Sequence, residues 1–222
     1  MRANMPLIRK IEREDCVVGI WHITETFEEL CRMLPNAECV RTECGAFSSE
    51  KRKREYAAVR ALLFVLAGRQ LTVDYFPSGR PFLRDERMNI SISHTAGYAA
   101  VILSETHDVG LDIEAVNNRI LKLKNHIVSE EEQADGLYEL LLHWCGKEVA
   151  FKLLDREGID FRKDLIVKDL LCSASEANPV SCGSFLLCFH LKTDKCGCFR
   201  MTYETTPHFV LVYAVVARGK RK

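Results

Sequence analysis
Asp112 and Glu114 stand two residues apart in Val-Gly-Leu-Asp-Ile-Glu, and Lys147, Glu148 and Lys152 stand close together in Trp-Cys-Gly-Lys-Glu-Val-Ala-Phe-Lys. Alternate side chains of a strand share a face, so the two carboxylates lie roughly 7 Å apart and, at an effective dielectric near 20, repel by about 2 kcal/mol. A divalent cation turns that repulsion into attraction, and oxygen ligands select magnesium, or manganese, over zinc. On a helix advancing about 100° per residue, Trp144, Lys147, Glu148, Phe151 and Lys152 fall within roughly 140°, together with Leu137, Leu140 and Leu141. Three charges on a mostly apolar face need partners: a metal, a phosphate or an opposing side chain. The plainer readings are a Lys-Glu pair at the rim of an amphipathic helix and the wet face of a strand.

The elements that must position these residues follow from the patterning. A strand over 88–93 delivers Ser93, His94 and Thr95 ahead of a second strand over 98–103, and three hydrogen-bonding side chains at a strand end suit a phosphate or an oxyanion. Ser48-Ser49-Glu50 opens a helix that Gly68 closes, on which Arg54 and Arg60 can aim at one anion or line a solvated helix end. Before it, 16–23 reads as a strand and Thr24 as the cap of a short helix ended by Pro35, with Phe27, Leu30 and Leu34 inward. A strand over 71–76 breaks at the Pro77-Ser78-Gly79-Arg80-Pro81 loop. Val109 to Glu114 forms the next strand. A helical stretch starts near Asn118, Ser129 caps a helix running through Glu130, Glu131 and Glu132 to near Gly158, and strands follow over 164–171, 184–191, 198–203 and 209–217. The order of strand, helices and antiparallel strands occurs twice, with a break over 104–108. That rhythm predicts an α+β fold of two halves, 1–106 and 107–222.

The chain has 222 residues, 47% hydrophobic and 28% charged, with 31 basic and 31 acidic side chains and a net charge of zero. This composition excludes disorder and gives no bulk electrostatic basis for nucleic-acid binding; the basic tail over 218–222 reads as a solvated terminus. No signal peptide or bilayer-length apolar run is present, which predicts a cytoplasmic protein with no membrane partner. The ten cysteines are scattered without a Cys-x-x-Cys and are expected to be reduced, buried or edge-strand thiols. Cys196-Gly-Cys198 has the form of half a metal site, but no second closely spaced pair completes it.

Three signals in fixed order are more specific than any one: Asn-Ile-Ser-Ile-Ser-His-Thr over 89–95, Gly-Leu-Asp-Ile-Glu over 110–114, and the Trp144 segment over 144–152. In order and spacing they resemble the 4'-phosphopantetheinyl transferases of the Sfp type, also called holo-acyl-carrier-protein synthases, whose pattern is Ser-His, Gly-x-Asp-x-Glu and Trp-x-x-Lys-Glu-x-x-x-Lys. The Gly79-Arg80-Pro81 loop resembles the family's Gly-Lys/Arg-Pro element, and the basic helix at 54–63 is similar as well; before 45 and after 160 only the general rhythm matches.

The resemblance implies a pseudodimer of two similar α+β halves, each an antiparallel sheet packed with helices, with coenzyme A in the cleft between them and a monomer as the simplest state. It implies that the serine of an apo acyl carrier protein or carrier domain attacks the β-phosphate of coenzyme A, releasing adenosine 3',5'-bisphosphate. It assigns Asp112, Glu114 and Glu148 to magnesium, and Lys147 and Lys152 to phosphate, with Lys152 also stabilising the leaving diphosphate. It makes Glu148 the candidate base, and places His94, with Ser93 or Thr95, on a coenzyme A phosphate and Arg80, Arg54 and Arg60 toward the nucleotide. Cys145, where Ser or Thr is usual, and Val149, where Ala or Ser is usual, imply altered packing. Two alternatives share these residues: another magnesium-dependent phosphoryl-transfer enzyme such as a nuclease, and a non-catalytic protein that binds coenzyme A or a carrier protein.

Overall fold
A computed structural model describes residues 7–84, 86–192 and 195–218. The chain divides into two compact units, Met1–His107 and Asp108–Lys222. Both are α+β, with antiparallel strands packed against helices. Most of the tail over 218–222 lies outside the described residues.

The first unit contains β1 (Leu7–Glu12), β2 (Val17–His22), α1 (Phe27–Arg32), α2 (Ala37–Cys44), α3 (Glu50–Ala67), β3 (Val73–Tyr75), β4 (Pro81–Leu83), β5 (Asn89–Thr95) and β6 (Tyr98–Ser104). Its main sheet runs β1-β2-β6-β5, all antiparallel, and β3 and β4 form a separate hairpin. The cap of α1 is Thr26, not Thr24: its side chain accepts from the Glu29 amide while Glu29 accepts from the Thr26 amide, a reciprocal box that Thr24 is too early to make. The helix stops at Arg32, and Asn36 caps a second helix, α2, that the sequence reading did not separate. Ser49 caps α3 and Gly68 ends it at φ 70°. That helix rides low over β2, since a Cβ at Gly19 would sit 2.7 Å from the Leu62 side chain.

The second unit contains β7 (His107–Ala115), a 3-10 stretch (Asn118–Leu123), α4 (Lys124–Ile127), α5 (Leu137–Leu154), β8 (Leu165–Lys168), β9 (Ser181–His190), β10 (Cys196–Thr205) and β11 (Phe209–Ala217). Its sheet runs β7-β11-β10-β9-β8. Each unit therefore places an early strand beside its last one and lays an 18-residue helix on the sheet. Ser129 does not cap α5. The helix begins eight residues later, where Glu139 accepts from the Asp135 and Gly136 amides, while Glu132 turns back to take the Ser129 amide. It ends at Leu154, with Asp155 in the left-handed region, rather than near Gly158.

Helix α5 is buried nearly all round. It settles against β9 through Gly146, where an added Cβ would lie 2.8 Å from the Phe185 ring. The core of this unit gathers Leu140, Leu141, Cys145, Val149 and Ala150 from the helix with Phe185, Leu187, Met201, Tyr203 and Val212 from the sheet. One cysteine expectation is corrected. Cys188 and Cys198 face each other across β9 and β10, Cα atoms 4.0 Å apart, and are joined as a disulfide; pairing register, which the sequence does not display, brings them together. Cys16, Cys31, Cys44 and Cys145 are buried thiols as expected, whereas Cys182 and Cys196 are exposed.

Candidate active site
Strand β7 and helix α5 bring four of the eleven expected site residues, Asp112, Glu114, Glu148 and Lys152, together within the second unit. Alternation along β7 puts Asp112 and Glu114 on one face and the fully buried Leu111 and Ile113 on the other. On α5, Trp144, Glu148 and Lys152 recur every fourth residue and form one stripe. The stripe and the strand are linked directly: the Trp144 indole Nε1 donates to Glu114 Oε1 at 3.3 Å, and Lys152 Nζ donates to Asp112 Oδ1 and to the Leu111 carbonyl, each at 2.8 Å.

Glu148 sits in this charge field. Burial first, then the neighbouring Asp112 and Glu114 carboxylates, raise its pKa from the usual 4.5 to about 7, with Lys152 opposing the rise. Cys145, fully buried beneath it, is held as a thiol by desolvation and by the same two carboxylates. The bulk of Val149 is absorbed by Gly110, where a Cβ would lie 3.0 Å from the valine Cγ1 and from its carbonyl oxygen. Val149 is thus seated against β7 at a position that has no side chain.

A magnesium ion fits the donor chemistry. The available groups are three carboxylates, hard oxygen ligands, and the acidic excess that raises Glu148 is what a divalent cation relieves. Among the described residues no group of three His, Cys, Asp or Glu side chains already stands ready to hold an ion. The Lys152 ammonium supplies the positive charge beside Asp112.

Lys147, expected at phosphate, is not part of this cluster. One residue before Glu148 on the helix, it points about 100° away and is fully buried, donating to Glu132 Oε2 at 2.7 Å and to the Ile127 carbonyl at 2.6 Å. Glu132, which sequence reasoning passed over, also accepts from the Ser129 and Val167 amides. It ties the segment before α5, the helix and β8 at one point. The only sequence signal for it is its place three residues after Ser129, hidden in a run of glutamates. Burial lowers the pKa of Lys147, against the pull of Glu132, and lowers that of His143, whose Nε2 is 3.9 Å from Glu132.

The remaining expected residues belong to the first unit. Ser93, His94 and Thr95 end β5, but alternation splits them: His94 turns toward α3, 3.6 Å from Glu55, while Ser93 and Thr95 take the opposite face. Arg54 and Arg60 do not converge on one point. Arg54 donates to the Glu25 and Ile23 carbonyls, pinning the loop after β2. Arg60 is 5% exposed, with its guanidinium over the Tyr56 ring at 4.0 Å and bonded to the Tyr56 hydroxyl, so burial takes it away from a nucleotide. Arg80 is half-buried in the β3–β4 turn, where its carbonyl accepts from Phe76 and Gly79 supplies φ 84°.

No protein-family model matches the chain. A curated relative does: the "Putative 4'-phosphopantetheinyl transferase" of Haemophilus influenzae is 38% identical over 86 residues, covering 34% of this chain. The resemblance is to the 4'-phosphopantetheinyl transferase superfamily. The chain spans 37% of that relative's length. No helix among the described residues is long and apolar enough to cross a membrane.

Proposed function
We propose that the protein transfers the 4'-phosphopantetheine arm of coenzyme A to a serine of an apo acyl carrier protein or carrier domain, in a magnesium-dependent reaction that releases adenosine 3',5'-bisphosphate. The observation that supports this most is the convergence of Asp112 and Glu114 from β7 with Glu148 and Lys152 from α5, the residues of two of the motifs, in one charge cluster. Phosphoryl transfer needs positioning and charge neutralisation more than covalent help from the protein, and this cluster offers carboxylates for a cation and an ammonium group for phosphate.

In this mechanism Asp112, Glu114 and Glu148 would hold magnesium, which would supply positive charge for the pyrophosphate. Glu148, directly or through a metal-bound water, is the candidate base that takes the proton of the carrier serine hydroxyl as its oxygen bonds to the β-phosphorus. The bond from that phosphorus to the bridging oxygen breaks, and Lys152 stabilises the negative charge left on adenosine 3',5'-bisphosphate. Trp144 fixes the Glu114 carboxylate by donating to it.

Intact-protein mass spectrometry of an apo acyl carrier protein incubated with this protein, coenzyme A and magnesium tests the proposal. The expected result is a gain of one phosphopantetheine that disappears with chelator and in Glu148→Ala. Undiminished transfer by that variant would overturn the metal and base assignment; no transfer to any of several carrier proteins would overturn the activity.

A further inference from the structure
The Cys188–Cys198 disulfide lies where a thiol can reach it. On the β9–β10 hairpin, Phe185, Leu187, Met201 and Tyr203 send one set of alternate positions into the core, while Cys198 is exposed and Cys188 half-buried on the outward face. The thiols of Cys16, Cys31, Cys44 and Cys145 are buried. Exchange requires a thiolate to reach one sulfur of the bond, so exposed disulfides are the labile ones.

From this bond a series of contacts runs to the charge cluster within the second unit. Two residues beyond Cys188, the His190 amide donates to the Asp164 carbonyl, and across the β8–β9 ladder Ile166 pairs with Cys188 itself. Asp164 closes a turn. Its Oδ2 accepts from the Asp160 amide and its own amide donates to the Asp160 carbonyl, while Asp160 Oδ1 accepts from the Arg162 and Lys163 amides. The turn carries Phe161, whose ring centroid lies 5.7 Å from that of Trp144 and 5.9 Å from that of Phe151. Trp144 donates in turn to Glu114. Packed rings and hydrogen bonds of this kind are what carries coupling between separated points of a fold. The bond joins positions 10 apart in sequence. By loop-closure entropy, a loop of that length disfavours separation of the two strands by about a hundredfold.

We propose that the Cys188–Cys198 disulfide is a thiol-operated clip on the seat of Trp144. Closed, it fixes β9 where that strand holds the Asp160–Asp164 turn, and so presses Phe161 on the indole beside Glu114. Opened, it lets the strand end, the turn and the tryptophan loosen together. A small thiol opens it as a thiolate attacking Cys198, the more exposed sulfur; the bond to Cys188 breaks, and Cys188 leaves as a thiolate that takes a proton from solvent. A second small thiol attacks the mixed disulfide, freeing Cys198 as a thiol. Two small thiols thus deliver two electrons and two protons and end as their own disulfide. The inference concerns the setting of Trp144 and stands independently of the transferase reading.

The test reads Trp144 rather than turnover, with glutathione as the thiol. The chain has two tryptophans, so Trp21→Phe leaves Trp144 as the fluorophore. Native reduction by glutathione is expected to shift its emission to longer wavelength and increase quenching by acrylamide, and re-oxidation to reverse both. Hydrogen exchange is followed in the unsubstituted chain, so the test survives a Trp21→Phe variant that fails to fold. There the Asp160, Asp164 and His190 amides should exchange faster on reduction, by up to about a hundredfold, while those of α3 keep their rates. Cys188→Ser/Cys198→Ser, with folding checked by circular dichroism, should show the reduced behaviour at every glutathione concentration, and Cys196→Ser should respond like the wild type. A bond absent from the air-oxidised chain, or one that glutathione opens only after unfolding, would overturn the clip. Reduction that leaves both Trp144 emission and exchange over 160–164 unchanged would overturn its link to the tryptophan.

Discussion

Glu148 ties the chemistry of the cluster to the stability of the second unit. Its folded pKa of about 7 lies above the ordinary 4.5, so between those pH values the folded chain binds more protons than the unfolded one and stability falls as pH rises. Glu148→Gln keeps the shape without the charge. The variant is expected to melt at nearly the wild-type temperature at pH 4 and at a higher temperature by pH 8, with saturating magnesium narrowing the difference by stabilising the wild type alone. A gap that is the same at both pH values would remove the carboxylate field as the cause. Lys152→Ala leaves Asp112 without its ammonium neighbour and is predicted to raise the pKa of Glu148 further, read as a shift of the same melting profile toward higher pH. That Asp112 and Glu114 share one face, and Glu148 and Lys152 one stripe, was legible because spacing on a strand and on a helix fixes shared faces. Lys147 was not, since a helical arc names the face but not the loop that covers it, and the partner Glu132 looks like any of its glutamate neighbours.

Caps and close approaches govern the elements. Thr26→Ala removes the box that starts α1 and is expected to cost about 1 kcal/mol in a urea melt. Glu132→Ala is the more severe change. It leaves the buried Lys147 amine without its counter-charge and the Val167 amide without an acceptor, a loss of about 3–5 kcal/mol by urea denaturation. A loss below about 1 kcal/mol would mean that the amine simply gives up its proton. Nine of the eleven described strands were readable to within a few residues from alternation, whereas β1 and β4 were not foreseen. The start of α5 was misread because Ser129 followed by three glutamates imitates a helix opening, whereas the real one uses Glu139 and the backbone of Gly136. The disulfide escaped for a related reason: register is a relation between strands, and no window of sequence contains it.

The two units draw their cores from separate residue sets, one around Trp21, Leu62 and Val101, the other around Leu142, Phe185 and Met201. Leu142→Ala, at a fully buried position, is predicted to cost about 2–5 kcal/mol and to speed amide hydrogen exchange along α5 while leaving α3 nearly unchanged. Equal acceleration in both helices would show a single cooperative molecule. The fold class and the two-part rhythm could be foreseen from the repeated order of elements; the separation of His94 from Ser93 and Thr95, and the burial of Arg60, depend on packing that the order does not contain. Within 144–152, Gly146 lets the helix close on the Phe185 ring, and any side chain there must push that ring aside. In a saturation library of this segment, position 146 would therefore tolerate as few replacements as position 148. The two would part company only when scored separately for abundance and for turnover, with 146 failing the first screen and 148 the second.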